Sequence, residues 1–220
     1  MKIAILGGTG DLGKGLALRL SLKNDVVVGS REREKAQRLA SEYLEEGRKH
    51  GLELRISGAT NQEAIDQSSV IIVSVPHEVL PQFLPSLRGY EGKLVISPVV
   101  PMTKTKRGFE YVIYRDQDGE LSAAELIAKS MKGAQVASAF HTVPAVKLSD
   151  LGQRLDYDVL VAADDRATYD KAAEVISSIE GLRPYYAGRL YVSRYLESLT
   201  PLLLNVAINN RLHAPSIRIV

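Results

Sequence analysis

Short apolar runs alternate with amphipathic segments along the first hundred residues of the chain. The apolar runs predict five β-strands, at residues 2–6, 26–29, 53–58, 70–75 and 93–98. Apolar residues at helical spacing predict four helices between and after them, at 11–24, 31–51, 61–65 and 77–87, with Asn61 as the N-cap of the third. The run at 70–75 is mostly β-branched, as expected of a strand buried on both faces. Strands that alternate with helices in this way form βαβ units and a parallel sheet.

The pattern is less regular after residue 98. Residues 109–120 predict a hairpin that turns at Asp118-Gly119, and Ser122 and Glu125 predict a capping box for a helix at 123–131. The remaining chain predicts strands at 135–140, 158–163 and 182–186, a helix at 169–179 and a last helix at 190–209 that Pro201 interrupts. We therefore expect an α/β fold, with a Rossmann-like, doubly wound, mostly parallel sheet. The expected domains are a nucleotide-binding domain at 1–150 and a small C-terminal α/β subdomain at 151–220, which packs on it and completes the crevice.

The second half of the last helix is apolar nearly all round, from Leu202 to Ile208. A helix of this kind must be covered on most of its sides. The cover is either the rest of the same subunit or a second copy of the chain. Because a chain of 220 residues has limited material for that cover, we expect a homodimer.

A glycine-rich turn joins the first predicted strand to the first helix. Gly8, Gly10 and Gly13 have the GxGxxG spacing of a dinucleotide-binding turn, between a strand and a helix as that motif requires. In such a turn the first glycine allows the tight bend, the second lets a pyrophosphate approach, and the third lets helix and strand pack closely. The first turn of the helix, near Asp11, then directs its free N–H groups at the pyrophosphate. The alternative is a glycine-rich loop without a ligand.

The second predicted strand ends in a basic segment. NAD-binding folds usually carry an acidic residue at this place, on the ribose 2′-hydroxyl, whereas this chain has Ser30, Arg31 and, four residues later, Lys35. Cations in the first turn of a helix are disfavoured by its dipole unless they bind an anion. We interpret these three residues as a site for the 2′-phosphate of NADP. A solvated, charged helix is the alternative, and it is the reading we prefer for Arg33.

Composition and charge exclude several other classes of protein and of site. The formal net charge of +2 gives no nucleic-acid footprint, and the absence of cysteine excludes disulfides and thiol chemistry. The four histidines lack metal-ligand spacing, so no metal site is expected. The sequence has neither an apolar run long enough for a membrane span nor a recognisable signal peptide, and the expected location is the cytoplasm.

Several segments together resemble the family of coenzyme F420-dependent NADP oxidoreductases. The resemblance covers nearly the whole chain and is carried by residues 7–17, 29–31, 97–101, 139–145 and 197–205. It implies reversible hydride transfer between NADP(H) and F420, a deazaflavin that stacks on the nicotinamide. It also implies NADP contacts at Thr9, Gly10, Asp11, Leu12, Ser30, Arg31, Lys35, His77, Met102 and Ala145. Related NADPH-dependent flavin reductases share the N-terminal motif, so a flavin acceptor stays an alternative.

The predicted strand ends converge on one crevice, because ligands of this fold bind at the carboxyl ends of the strands. Val75 and His141 join the expected cofactor contacts there. His141 is a candidate acid or hydrogen-bond donor, although a lone histidine at a strand end is more often structural. Hydride transfer between two cofactors needs little acid–base help from the protein. A module that senses NADP(H) without turnover is the alternative from another functional class, but no effector region accompanies the crevice.

Lys104, Lys106 and Arg107 form a basic loop after the fifth predicted strand. F420 carries a phosphate and a glutamate tail and is therefore strongly anionic. The loop is either an ordinary solvated connection or a surface that attracts this tail by long-range electrostatics.

Overall fold

One eight-stranded sheet forms the centre of the computed structural model, which describes the whole chain from Met1 to Val220. Its strands are β1 (Lys2–Leu6), β2 (Asp25–Ser30), β3 (Ile56–Thr60), β4 (Val70–Val73), β5 (Leu94–Ser97), β10 (Gln135–Ser138), β11 (Tyr157–Ala163) and β12 (Leu182–Gly188). They lie in the order β12-β11-β10-β5-β4-β1-β2-β3. The six strands from β3 to β10 are parallel, β11 is antiparallel to β10, and β12 is parallel to β11. The expected α/β class and mostly parallel, doubly wound sheet are confirmed.

Helices cover both faces of the sheet. They are α1 (Asp11–Leu20), α2 (Arg33–Lys49), α3 (Asn61–Asp66), α4 (Leu80–Phe83), α5 (Ala123–Ser130), α6 (Ala145–Ser149), α7 (Arg166–Ser177) and α8 (Ser193–Asn210). The apolar core on one face joins the sheet to α1, α2, α6 and α7, and the core on the other face joins it to α3, α4 and α5. The C-terminal strands continue the same sheet, and their side chains share the first of these cores. None of the eight helices combines the length and apolar character that a membrane crossing requires.

Two β-hairpins stand apart from the sheet, where the sequence predicts one. The first pairs β6 (Met102–Thr105) with β7 (Gly108–Tyr111), and the second pairs β8 (Tyr114–Asp116) with β9 (Gly119–Leu121). The predicted turn at Asp118-Gly119 lies in the second hairpin. The predicted hairpin is therefore confirmed, but it is shorter than predicted, because residues 109–111 pair with β6 across an earlier turn at Lys106-Arg107.

Several predicted element boundaries differ from those observed. Thr60, not Asn61, caps α3: the Thr60 side chain accepts the Glu63 N–H at 3.3 Å, and the Glu63 carboxylate accepts the Thr60 N–H at 3.0 Å. The preceding strand therefore lies at Ile56–Thr60 rather than at 53–58. The helix predicted at 77–87 is shortened to α4 and one 3₁₀ turn, each with a proline in its first turn. Proline lacks the N–H that a continuous helix would use at these positions.

Helix α8 runs through Pro201 without a break, although the sequence predicts an interruption there. Pro201 is buried, and side chains on both sides of it hold the helix. Glu197 accepts N–H groups of α5, and Asn205 bonds the backbone of β7. These tertiary contacts offset the one intrahelical hydrogen bond that proline removes.

Candidate functional site

A groove of about 1410 Å³ runs along the carboxyl ends of the parallel strands. Small-molecule pockets usually measure roughly 300–1,000 Å³, so this groove exceeds the space that one such ligand fills. Its walls are the segments after β1, β2, β4, β5 and β10, together with β6, α8 and residues 213–215. This is the edge of the sheet, around the switch between β1 and β4, at which doubly wound folds bind ligands.

Most of the site residues predicted from the sequence line this groove. Those that do are Thr9, Gly10, Asp11, Leu12, Ser30, Arg31, Lys35, Val75, His77, Met102, His141 and Ala145. Gly8 and Gly13 do not line the groove, and they contribute to it through the conformation and packing of the glycine turn. The structure therefore brings together segments that are up to 136 residues apart in sequence, from Thr9 to Ala145.

The glycine turn contains four glycines with different structural roles. Gly7 takes the left-handed conformation, with φ of 69°, so the tight bend belongs to Gly7 rather than to Gly8 as expected. A Cβ on Gly13 would lie 2.6 Å from the Gly8 Cα, which confirms the close packing of α1 on the turn. A Cβ on Gly10 would meet no protein atom within 4 Å. Gly10 therefore opens onto the groove at the N-terminus of α1, where the first-turn N–H groups can bind an anion.

A cationic end of the groove follows β2. Helix α2 begins at Arg33, so Arg31 precedes the helix instead of lying in its first turn, as the predicted start at residue 31 implied. The side chains of Arg31 and Lys35 nevertheless line the groove and form no ion pair within the protein, whereas Arg33 bonds Glu63. The Ser30 hydroxyl accepts the Glu32 N–H at 3.3 Å. Two unpaired cations beside a serine hydroxyl suit a phosphate group.

His77 holds the middle of the groove to the first hairpin. Its Nε2 lies 2.9 Å from the carbonyl oxygen of Met102, and its own carbonyl oxygen accepts the Tyr114 hydroxyl at 2.6 Å. Val75 and Pro76 continue this wall toward the glycine turn. The segment after β4 is thereby fixed by the sheet on one side and by both hairpins on the other, through Met102 of the first and Tyr114 of the second.

His141 lies where the chain turns sharply after β10. Phe140 precedes it in the left-handed conformation, with φ of 74°, which is an outlier for so bulky a residue. The His141 side chain is buried, with its Nε2 3.4 Å from the Ser138 hydroxyl oxygen. Burial lowers the pKa of the imidazole from 6.5 to about 3, although a hydrogen bond with the Ser97 backbone opposes this shift. The ring is therefore neutral near pH 7, where it can form hydrogen bonds but is a poor source of protons.

The segment from His141 to Ala145 is anchored at both ends. The Thr200 hydroxyl of α8 donates to the His141 carbonyl oxygen at 2.7 Å. At the other end, α6 packs against α1 so closely that a Cβ on Gly15 would lie 2.6 Å from the Leu148 Cβ. The buried Arg19 guanidinium donates to carbonyl oxygens beyond α6, at 2.8 Å from Gln153, and to Leu148 at 3.0 Å. Backbone geometry at this wall thus depends on Thr200 at one end and, at the other, on Arg19, which does not line the groove.

Several groove residues were not predicted from the sequence. They include Asn61 and Gln62 of α3, Thr200, Leu203 and Leu204 of α8, and the C-terminal residues His213, Ala214 and Pro215. The prediction treats Asn61 as a helix cap, yet its Oδ1 is buried and has no hydrogen-bond partner. A signal for α8 was present, because residues 197–205 carry part of the family resemblance. No local pattern marks residues 213–215.

Comparison with known proteins gives one consistent family. Residues 2–101 match the family model described as NADP oxidoreductase, coenzyme F420-dependent. An F420-dependent NADP reductase of Methanothermobacter marburgensis is 41% identical over 224 residues, which cover 100% of this chain and 98% of that protein. An F420-dependent NADP reductase of Methanocaldococcus jannaschii is 36% identical over 220 residues, with 100% and 98% covered.

A solved structure agrees with the fold. The crystal structure of a putative F420-dependent NADP reductase from Arthrobacter sp. FB24 superposes with a TM-score of 0.81 and covers 100% of this chain and 99% of its own. Its sequence is only 20% identical, so this similarity shows a shared architecture.

Proposed function

The chain belongs to the family of coenzyme F420-dependent NADP oxidoreductases, and we propose that it transfers hydride between NADP(H) and F420. The observation that carries this proposal is the single groove with two unlike parts. One part has unpaired cations beside a helix N-terminus, and the other is framed by apolar side chains of α8. Such a groove suits a nucleotide with several phosphates, followed by a second, planar ligand.

In the proposed NADP site, each part of the cofactor is assigned to a different group of groove residues. The pyrophosphate lies on the N-terminus of α1, against residues 9–12, where N–H groups and the helix dipole favour negative charge. The 2′-phosphate lies on Ser30, Arg31 and Lys35, through charge-assisted hydrogen bonds. The nicotinamide then lies against four groove residues that come from separate parts of the chain, which are Val75, His77, Met102 and Ala145. Gly8 and Gly13 contribute by shaping the turn.

The proposed reaction needs the protein for geometry rather than for proton transfer. The hydride chemistry belongs to the two cofactors, and the protein holds their rings in contact, orients them and excludes water. His141, neutral near pH 7, would offer a hydrogen bond beside the reacting rings. Leu203 and Leu204 would supply apolar surface for the deazaflavin.

We also propose a homodimer that buries one face of α8. Tyr195, Leu202 and Val206 of α8 recur at helical spacing, with Tyr191 of the preceding 3₁₀ turn, and the exposed fractions of Tyr191, Tyr195, Leu202 and Val206 are 60%, 64%, 56% and 37%. Large exposed apolar side chains along one line of the surface suit an interaction site. Leu202→Glu should shift the mass in analytical ultracentrifugation from dimer to monomer. A wild-type protein that sediments as a monomer would exclude the dimer. Location in the cytoplasm stays a prediction.

Mixing the protein with NADPH and oxidised F420 tests the proposed activity. We expect the deazaflavin absorbance to fall as NADPH is consumed, and reduced F420 with NADP to give the reverse change. FMN in place of F420 tests the flavin alternative, and NADH in place of NADPH tests cofactor choice. Tight NADPH binding without any acceptor reduction would favour a sensing module.

A further inference from the structure

Asn205 makes an unusual contact between α8 and the first hairpin. Its amide oxygen accepts the Phe109 N–H at 2.8 Å, and its amide nitrogen donates to the Phe109 carbonyl oxygen at 2.7 Å. The side chain thus bonds β7 as a neighbouring strand would, by a donor and an acceptor on one residue. Gly108 fits this contact, since its φ of 122° excludes most side chains and a Cβ there would overlap the Asn205 amide oxygen.

Glu197, two helical turns before Asn205, holds the same hairpin at its other end. Its buried carboxylate accepts the Tyr111 hydroxyl at 2.7 Å. The same carboxylate accepts the N–H groups of Ala123 and Ala124, at 3.0 and 3.1 Å, and so ties the N-terminus of α5 to α8. Strand β7 is therefore fixed to α8 at both Phe109 and Tyr111, by side chains that lie outside the groove.

The position of the first hairpin in turn determines the position of one wall of the groove. Tyr111 pairs with Met102 in the β6–β7 ladder, and the Met102 carbonyl oxygen bonds the His77 ring at 2.9 Å. Between Glu197 and Asn205, α8 itself presents Leu203 and Leu204 to the groove. One helix thus fixes both its own apolar wall and the wall that the hairpin and His77 form.

We propose that Asn205 is a positioning residue for hydride transfer, which acts by holding the β6–β7 hairpin at a fixed distance from α8. This proposal rests on the proposed function, because the walls so fixed are those between which the nicotinamide and the deazaflavin would meet. Small displacements are costly in such an arrangement, since a shift of about 1 Å can reduce a rate by about a hundredfold. The cationic end of the groove lies after β2 and does not depend on this contact.

Hydrogen exchange followed by mass spectrometry tests the structural step. Asn205→Ala should accelerate exchange of the Phe109 amide and of the peptide that spans β6 and β7, while peptides of β1 and β4 exchange as in the wild type. Asn209→Ala is the matched control, because Asn209 is an exposed asparagine of the same helix whose side chain makes no hydrogen bond within the protein. Unchanged exchange of the hairpin in Asn205→Ala would overturn the proposal. If Asn205→Ala does not fold, Asn205→Asp removes the bond to the Phe109 carbonyl and keeps the acceptor for the N–H.

Single-turnover kinetics test the functional step. We expect Asn205→Ala to reduce the rate of hydride transfer from bound NADPH to F420 by about 10- to 100-fold, with NADPH affinity within about twofold of the wild type. A purely structural defect would lower the fraction of active sites instead, and leave the rate per site unchanged. A mobile hairpin combined with an unchanged transfer rate would overturn the proposal. If the wild type transfers no hydride to F420, the proposed function fails, and the exchange experiment still tests the contact.

Discussion

The two ends of the groove are built by different means. Beside β1, the main chain makes the wall, with glycines and the N-terminus of α1. Toward the first hairpin, side chains hold the wall in place: Asn205 hydrogen-bonds the main chain of Phe109, 96 residues away, and Thr200 hydrogen-bonds that of His141, 59 residues away. The first end therefore depends on the space that side chains leave free, and the second on a few long-range hydrogen bonds. Substitutions should affect the two ends differently.

The largest expected effect concerns the end built from the main chain. Gly10→Val should abolish NADPH binding, because its side chain would enter the space where the pyrophosphate lies, and should leave the melting temperature nearly unchanged. Gly13→Ala is the matched control, since its Cβ would lie 2.6 Å from the Gly8 Cα. Such overpacking typically costs about 1–3 kcal/mol, so this variant should lose stability. Calorimetric titration and thermal unfolding measure both, and normal NADPH binding by Gly10→Val would contradict the placement.

The buried Glu197, which holds the first hairpin to α8, should make the free energy of unfolding depend on pH. Burial raises the pKa of its carboxyl from 4.5 to about 7. Between these values the folded protein retains a proton that the unfolded chain loses. The stabilisation is thus complete below pH 4.5 and is lost as pH rises through 7, on the order of 3 kcal/mol.

The contribution of His141 to the free energy of unfolding should change with pH in the opposite direction. Its pKa is lowered from 6.5 to about 3, so the stability that it contributes is lost as pH falls through that range. Urea unfolding from pH 4.5 to 7.5 separates the two groups. Glu197→Gln should remove the fall in stability toward pH 7 and leave a rise up to about pH 6.5. Wild-type and variant curves that run parallel would show that Glu197 does not titrate in this range.

The same contrast explains how far the sequence predicts the structure. The strands β1 and β4, the glycine turn and the cations after β2 follow from local patterns, in which apolar runs and residue spacing already determine the geometry. Contacts such as that of Asn205 with Phe109 join residues 96 positions apart, and no periodicity marks them. Helix α6 was missed for another reason: it has five residues, too few to show a helical repeat.

Arg31 should discriminate between the two nicotinamide cofactors. Arg31→Ala removes charge-assisted hydrogen bonds, worth about 1.5–3 kcal/mol, and should weaken NADPH binding by about tenfold or more while NADH binding hardly changes. Arg33→Ala is the control, because Arg33 bonds Glu63 instead of lining the groove. Fluorescence titration with both cofactors measures the difference. Equal losses for NADPH and NADH would contradict the 2′-phosphate site.

The smallest expected effect concerns the basic turn of the first hairpin. Lys104, Lys106 and Arg107 are exposed and do not line the groove, and Arg107 is paired with Glu110 at 3.1 Å. Any attraction of the anionic F420 tail is therefore long-range, carried mainly by the two lysines. Interactions between exposed charges are screened over about 8–10 Å near physiological salt, so the contribution should be small.

Replacing Lys104, Lys106 and Arg107 together by alanine should raise the KM for F420 roughly two- to threefold at low salt and flatten its dependence on ionic strength. The KM for NADPH should stay unchanged, since the cations proposed for its 2′-phosphate follow β2. The turnover number should also hold, because Asn205 bonds the main chain of Phe109 and does not need the basic side chains. An unchanged KM for F420 at low salt would mean that the turn is an ordinary solvated connection and that the tail is bound elsewhere. A lower turnover number would instead mean that the substitutions disturb the hairpin itself, which hydrogen exchange of β7 would reveal.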